Sequence, residues 1–235
     1  MNTYDNPFVV AEASAETRAI FYRKAYGLVA FAIAAWAGVL AALFATGAAV
    51  PIMEFVGAGR FTWLIVLGVF WLATSTGQRM AFSESRPKQY LGLGIYIAAY
   101  AVLFVPIMVI VAVRTDGNIM EILKPAGLTT LALFGALTAT VFMTSKDFSF
   151  LKTTVVIGSF VALGAILVFT IFGISPGAWF SVAMIALMSA AILWQTWQVK
   201  NQCHHEQYVG AAVVIFAGIM TLFWYVIQLF LSRRS

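Results

Sequence analysis

The one place where this sequence groups metal-ligating side chains is His204-His205-Glu206. A structural or catalytic metal needs three or four ligands converging on one point. Adjacent histidines in a short loop point apart, so the string reads as a solvated loop with no resident metal or other cofactor. The chain has no HExxH string, and no GxSxG string or serine–histidine pair lies within the helices. Cys203 is the single cysteine, which excludes an intramolecular disulfide. The last apolar stretch holds no lysine, which excludes a retinal Schiff base. Ionisable groups buried in a membrane are costly and mark function where they occur. None lies midway along any apolar stretch, so catalysis within the membrane has no acid, base or nucleophile to work with, and the chain is not expected to be an enzyme.

What remains is neutral. Gln195, Thr196 and Gln198 form one cluster, Thr74, Ser75 and Thr76 a second, and Thr221 and Gln228 a third. Each reads first as an interhelical hydrogen-bonding group contributing about 1 kcal/mol or less. The sharper reading for Gln195 is that its amide lines a polar pathway.

These groups have to be positioned by membrane helices. The sequence is 62% hydrophobic and 10% charged, against about 45–50% and about 25% for a soluble domain. A soluble globule of this composition would have no polar skin. A helix crosses the hydrocarbon core with roughly 20 apolar residues. Windows of that kind run from Ala25 to Thr46, Phe61 to Gly77, Gln89 to Val113, Ala126 to Thr144 and Tyr208 to Leu231. The charge-free stretch from Thr153 to Val199 is too long for one helix, and Ile174-Ser175-Pro176-Gly177 splits it into two. The expectation is an all-α polytopic bundle of about seven transmembrane helices over residues 25–231. It is preceded by a polar tail over 1–24, with Asp5, Glu12 and Glu16 in it, and followed by a short tail over 232–235.

Net charge is +5, but no basic stripe interleaved with aromatics marks a nucleic-acid face. The positive residues are better read as topology signals facing the lipid bilayer. With the N-terminus cytoplasmic, that side holds Arg18, Arg23, Lys24, Arg79, Arg86, Lys88, Lys146, Lys152 and Lys200. The opposite side holds Arg60, Arg114, Lys124, Arg233 and Arg234. The bias places the N-terminus inside and the C-terminus outside. Trp63, Trp179, Trp194 and Trp197 sit near span ends, where interfacial rings belong, whereas Trp36 and Trp71 are expected to pack between helices. Pro106 predicts a kink in the third span. Ala30, Ala34, Gly38 and Ala42 form a small-residue stripe suited to close helix contact.

The most specific local string is Thr144-Ser145-Lys146-Asp147-Phe148-Ser149-Phe150-Leu151, between the fourth and fifth spans. Asp147 or Ser149 could cap the helix that follows. This string resembles the T-x-K-D-x-S-F-L segment of the Bax inhibitor family, which includes a bacterial YccA-like branch. ILWQTWQVKNQ and VIFAGIMTLFWYVIQLF are similar to the family's last two helices, so the resemblance extends over nearly the whole chain.

The resemblance implies a membrane protein of the bacterial inner membrane acting as a Ca²⁺ or other cation leak or transporter. It also implies an alternative: an interaction protein that modulates a membrane-bound AAA protease, with the N-terminal tail as the handle. In leak-type members two facing aspartates on the last two helices share a proton and gate the pore. Their places fall on Gln195 and Gly218 here, and an acidic position of the second span falls near Gly68. The basic residue at that helix's end is matched by Arg79. Neither Gln nor Gly can titrate, and Ca²⁺ prefers several hard oxygen ligands. The resemblance thus implies the family's bundle without its acidic gate.

Overall fold

The computed structural model describes residues 9–59 and 61–233. Asp5 of the polar tail and two of the topology-setting arginines, Arg60 and Arg234, lie outside the described residues. Among the described residues eight helices follow one another: α1 (Ala15–Ala45), α2 (Ala49–Gly57), α3 (Thr62–Ala81), α4 (Arg86–Arg114), α5 (Met120–Met143), α6 (Leu151–Phe172), α7 (Gly177–Asn201) and α8 (Tyr208–Ser232). The architecture is all-α, as expected, and the seven windows read from hydropathy fall on α1 and α3–α8.

Six of these, α1 and α4–α8, are long and apolar enough to cross a membrane, one fewer than the seven spans expected. The difference is α3, which has 20 residues but closes on Thr74-Ser75-Thr76-Gly77-Gln78-Arg79. That polar end lies against protein: Gly77 of α3 and Gly92 of α4 approach so closely that a Cβ on Gly92 would stand 2.7 Å from the Ala81 backbone nitrogen. The short helix α2 has no counterpart in the expected spans. Pro51 occupies its first turn, where a missing N–H costs nothing.

The helices α4 and α8 form the centre. They bury 61% and 67% of their apolar windows, against 11–22% for the other four spans. The α8 helix packs on α1, α3, α4, α5 and α7, and α4 packs on α1, α2 and α3. Pro106 is buried within α4, which runs unbroken to Arg114.

Several packing expectations are corrected. Ala30, Ala34, Gly38 and Ala42 all face outward, and the buried stripe of α1 is Phe21, Ala25, Val29, Ala32, Trp36 and Leu40. Trp36 packs as expected, edge-on to Phe104 at 4.9 Å, but Trp71 is 66% exposed on the bundle's outer face. Lipid is as apolar as a helix interface, so hydropathy alone does not say which way such residues face.

The N-terminal segment is also tied down. Helix α1 begins at Ala15, capped by the Ser14 hydroxyl, which accepts from the Thr17 N–H at 3.2 Å. Just before it, Val10 is fully buried and donates its N–H to the Cys203 carbonyl at 2.9 Å. Of the expected tail over 1–24, residues 15–24 thus belong to α1 and Val10 is packed against the bundle.

Candidate functional site

The antiparallel run of α7 and α8 brings Gln195 and Gly218 face to face. A Cβ on Gly218 would stand 3.0 Å from Gln195 Oε1 and 3.3 Å from Ile192 Cγ1. Gly218 is therefore the space that the long Gln195 side chain occupies. Gln195 Oε1 is buried and has no hydrogen-bond partner. A buried carbonyl left without a donor costs about 1–3 kcal/mol, unless water or a solute supplies one.

Room for that donor exists beside it. A cavity of about 380 Å³ is lined by Gln78 and Phe82 from the end of α3, Tyr96 of α4, Gln195 and Gln198 of α7, Cys203, and Ala217 of α8. Three amides, a phenol and a thiol make it polar without charge. Burial pushes the Cys203 thiol up to about 11, so it is a neutral SH at physiological pH. Tyr26, Trp36, Thr130 and Thr138 also hold buried polar atoms without partners, but among these groups only Gln195 lines this cavity.

A second cavity, of about 420 Å³, lies toward the other end of the bundle. Trp63 and Phe70 of α3, Tyr100 of α4, Phe169 of α6, Phe180 of α7, and Thr221, Trp224 and Gln228 of α8 line it. The two cavities are separated by one turn of each central helix, Tyr96 to Tyr100 on α4 and Ala217 to Thr221 on α8. Four residues of helix rise about 6 Å. Across that turn the Tyr100 hydroxyl meets Thr221 Oγ1 at 2.9 Å and donates to the Ala217 carbonyl at 3.2 Å. Thr221 Oγ1 in turn donates to the same carbonyl at 2.8 Å. Sequence reading placed Thr221 on the last helix as a hydrogen-bonding group but had no signal for Tyr100, one tyrosine among eight.

The other candidate positions lie apart from this seam. Arg79 is exposed in the last turn of α3, and its neighbour Gln78 is the residue that turns into the polar cavity. Gly68 is also exposed, with open space where a side chain would stand. His204 and His205 remain in the α7–α8 loop, and no group of three metal-ligating residues exists among the described residues.

The loop string does structural work. Thr144 closes α5, its hydroxyl donating to the Thr140 carbonyl at 2.8 Å. Asp147 Oδ1 accepts from the Ser149 N–H at 2.7 Å, an Asx turn within the loop. The expected cap by Asp147 or Ser149 is not formed: Phe150 stands at the N-cap of α6 without a side-chain bond, and Leu151 opens the helix. Lys146 is exposed. What holds the string to the bundle is Lys200, whose Nζ donates to the Val141 carbonyl at 2.9 Å and the Thr144 carbonyl at 3.4 Å. A cation on the last carbonyls of α5 suits that helix end.

Fold and site together define an integral membrane protein whose central helices separate two neutral cavities. The family described as "Inhibitor of apoptosis-promoting Bax1" matches residues 18–235. The chain belongs to that family, the Bax inhibitors. An uncharacterized protein of Pseudomonas aeruginosa is 36% identical over 104 residues, which is 44% of this chain and 46% of the relative. The match thus spans less than half the length of that curated relative. No solved structure is matched by the chain.

Proposed function

We propose that the bundle is a conduit for small cations, seated in a bacterial inner membrane with its N-terminus cytoplasmic, and drawn here in its closed state. The observation that carries this reading is the pair of cavities reaching from opposite ends toward one turn of α4 and α8. Gln195 Oε1, buried and unpartnered, sits on the inner one. A carbonyl without a donor is a place for a water or a partly hydrated ion to pause.

The lining decides what such a conduit would favour. Ca²⁺ takes six to eight oxygen ligands, and the inner cavity supplies no carboxylate, so monovalent cations should pass more readily. Among its lining residues Tyr96 and Cys203 are the titratable groups. A phenol ionises near roughly pH 10 in water, and the thiol is held higher still, so neither changes charge between pH 6 and 8. Flux of K⁺ and Ca²⁺ into proteoliposomes, followed with entrapped indicators, tests this. The expected result is a slow, protein-dependent leak that favours K⁺ and is equal at pH 6 and pH 8. Traces no different from protein-free vesicles would remove the reading. Introducing Gln195→Asp with Gly218→Asp should make the leak pH-dependent, since paired carboxylates push their pKa values apart.

The alternative, in which a membrane-bound AAA protease grips the N-terminal tail, has less support. Val10 is buried and its backbone is bonded to the α7–α8 loop, which ties the described start of the tail to the bundle.

A further inference from the structure

We propose that the cavity toward the C-terminal end of α8 is a binding site for an organic ammonium cation. Seven of the sixteen residues that line it are aromatic, in a chain that is 15% aromatic overall. The rings pack on one another around the cavity. Phe70 stands edge-on to Tyr100 at 5.0 Å and 88°, and Phe180 edge-on to Tyr225 at 6.1 Å and 75°. Phe169 meets Phe180 at 89°. Trp63 of α3 and Trp224 of α8 stack on each other at the cavity wall, 6.1 Å apart and 17° from parallel.

The chemistry of this lining selects its ligand. Ring faces carry negative electrostatic potential and repel anions. A metal ion would need a shell of hard oxygens, and the lining offers only Thr170, Thr221, Gln228 and two tyrosine hydroxyls, with no carboxylate. An alkylammonium ion suits it better: its charge is spread over apolar methyl or methylene groups, it sheds water easily, and π faces attract it. The volume of about 420 Å³ is ample for such an ion.

A second large recess has a different lining. The cavity of about 610 Å³ between α2, α3 and α4 is lined almost wholly by aliphatic residues such as Ile52, Val66 and Val102, and by no polar side chain. The aromatic box differs from it in both respects. The ligand's charged group could come from a free alkylammonium ion or from a lipid headgroup, and the same rings would hold either. This site is independent of the conduit reading, because binding requires no passage.

The test is a calorimetric and tryptophan-fluorescence titration of the full chain in uncharged maltoside micelles. Tetraethylammonium and choline are compared with choline's uncharged dimethylbutanol isostere. Saturable binding of the cations, at least tenfold tighter than the isostere, is expected. Trp224→Leu and Phe180→Leu should each weaken it about tenfold, whereas Trp224→Phe, which keeps a ring, should retain most of it. Repeating the titration in phosphatidylcholine nanodiscs separates the sources: suppressed binding assigns the box to a lipid headgroup, and unchanged binding assigns it to a free cation. Equal binding of the isostere, binding indifferent to Trp224→Leu and Phe180→Leu in folded protein, or no saturable signal in micelles would overturn the proposal.

Discussion

Gln195 and Gly218 behave as one unit. The amide reaches the place where a side chain at 218 would begin, so neither position can change alone without cost. Gly218→Ala puts a methyl 3.0 Å from Gln195 Oε1 and 3.3 Å from Ile192 Cγ1, tight enough that the amide has to give. The expected cost is about 1–2 kcal/mol, read as a lowered midpoint of thermal unfolding in detergent. Gln195→Ala should recover most of it in the double variant, because it removes the atom the methyl strikes. Additive losses would mean that the two residues are not coupled. Cys203, on the same cavity, gives a chemical readout. With its pKa pushed from 9.0 to about 11 by desolvation, its thiolate fraction at neutral pH is about 100-fold below that of an ordinary thiol. Iodoacetamide should therefore label the folded protein slowly at pH 8, with a rate that keeps climbing toward pH 11, while the unfolded chain levels off near pH 9. The sign for stability follows: the folded thiol keeps a proton that the unfolded one loses, so stability is intact at neutral pH and falls as pH rises from about 9 to 11. Labelling at pH 8 as fast as in the unfolded chain would contradict the burial of this group.

Among the elements, α3 and α4 carry the tightest contact. A Cβ on Gly92 meets the backbone of Gly77 and Ala81, and one on Gly77 meets Tyr96 and the Gly92 carbonyl. Backbone cannot swing aside as a side chain can. Gly92→Ala should therefore cost about 3 kcal/mol by forcing the helices apart, whereas Gly38→Ala, with nothing within 4 Å, should stay within about 0.5 kcal/mol of wild type. Thermal unfolding of the two variants side by side checks this, and similar midpoints would refute the assigned contact. The contrast also shows what was legible in the sequence. Spans could be read because a hydrocarbon layer of fixed thickness demands apolar runs of fixed length. Facing could not be read, because lipid and protein interior reward the same side chains; the stripe from Ala30 to Ala42 and Trp71 therefore turned outward. The resemblance puts the family's acidic pair at Gln195 and Gly218, and in the structure a Cβ on Gly218 would stand 3.0 Å from Gln195 Oε1. Tyr100 was invisible because nothing local distinguishes it from other tyrosines, and the clamp of Lys200 on α5 joins residues 56 and 59 positions apart in sequence.

At the scale of the whole molecule, what separates the two cavities is a single hydrogen-bonded turn. Tyr100 is held between Phe70 and Phe216, edge-on to each, and its hydroxyl ends on Thr221 and the Ala217 carbonyl. A barrier built on packing alone would be indifferent to one oxygen atom; one locked by these bonds would not. Tyr100→Phe keeps the ring and its packing but removes its bonds to Thr221 Oγ1 and the Ala217 carbonyl, and Thr221→Val keeps the shape of α8 while removing the Tyr100–Thr221 bond. Each is expected to raise cation flux in the proteoliposome assay about three- to tenfold, since losing a hydrogen bond of about 1 kcal/mol shifts a closed–open equilibrium by a factor of about five. The two changes together should raise it little beyond Tyr100→Phe alone, because that change already breaks the Tyr100–Thr221 bond. Flux that matches wild type in both variants would leave the conduit in place but move its barrier elsewhere. Absence of flux in wild type and variants alike would remove the conduit itself. The neutral seam also predicts that the extra flux is equal at pH 6 and pH 8. If it instead rose with acidity, a titrating group outside the cavity lining would have to control the turn.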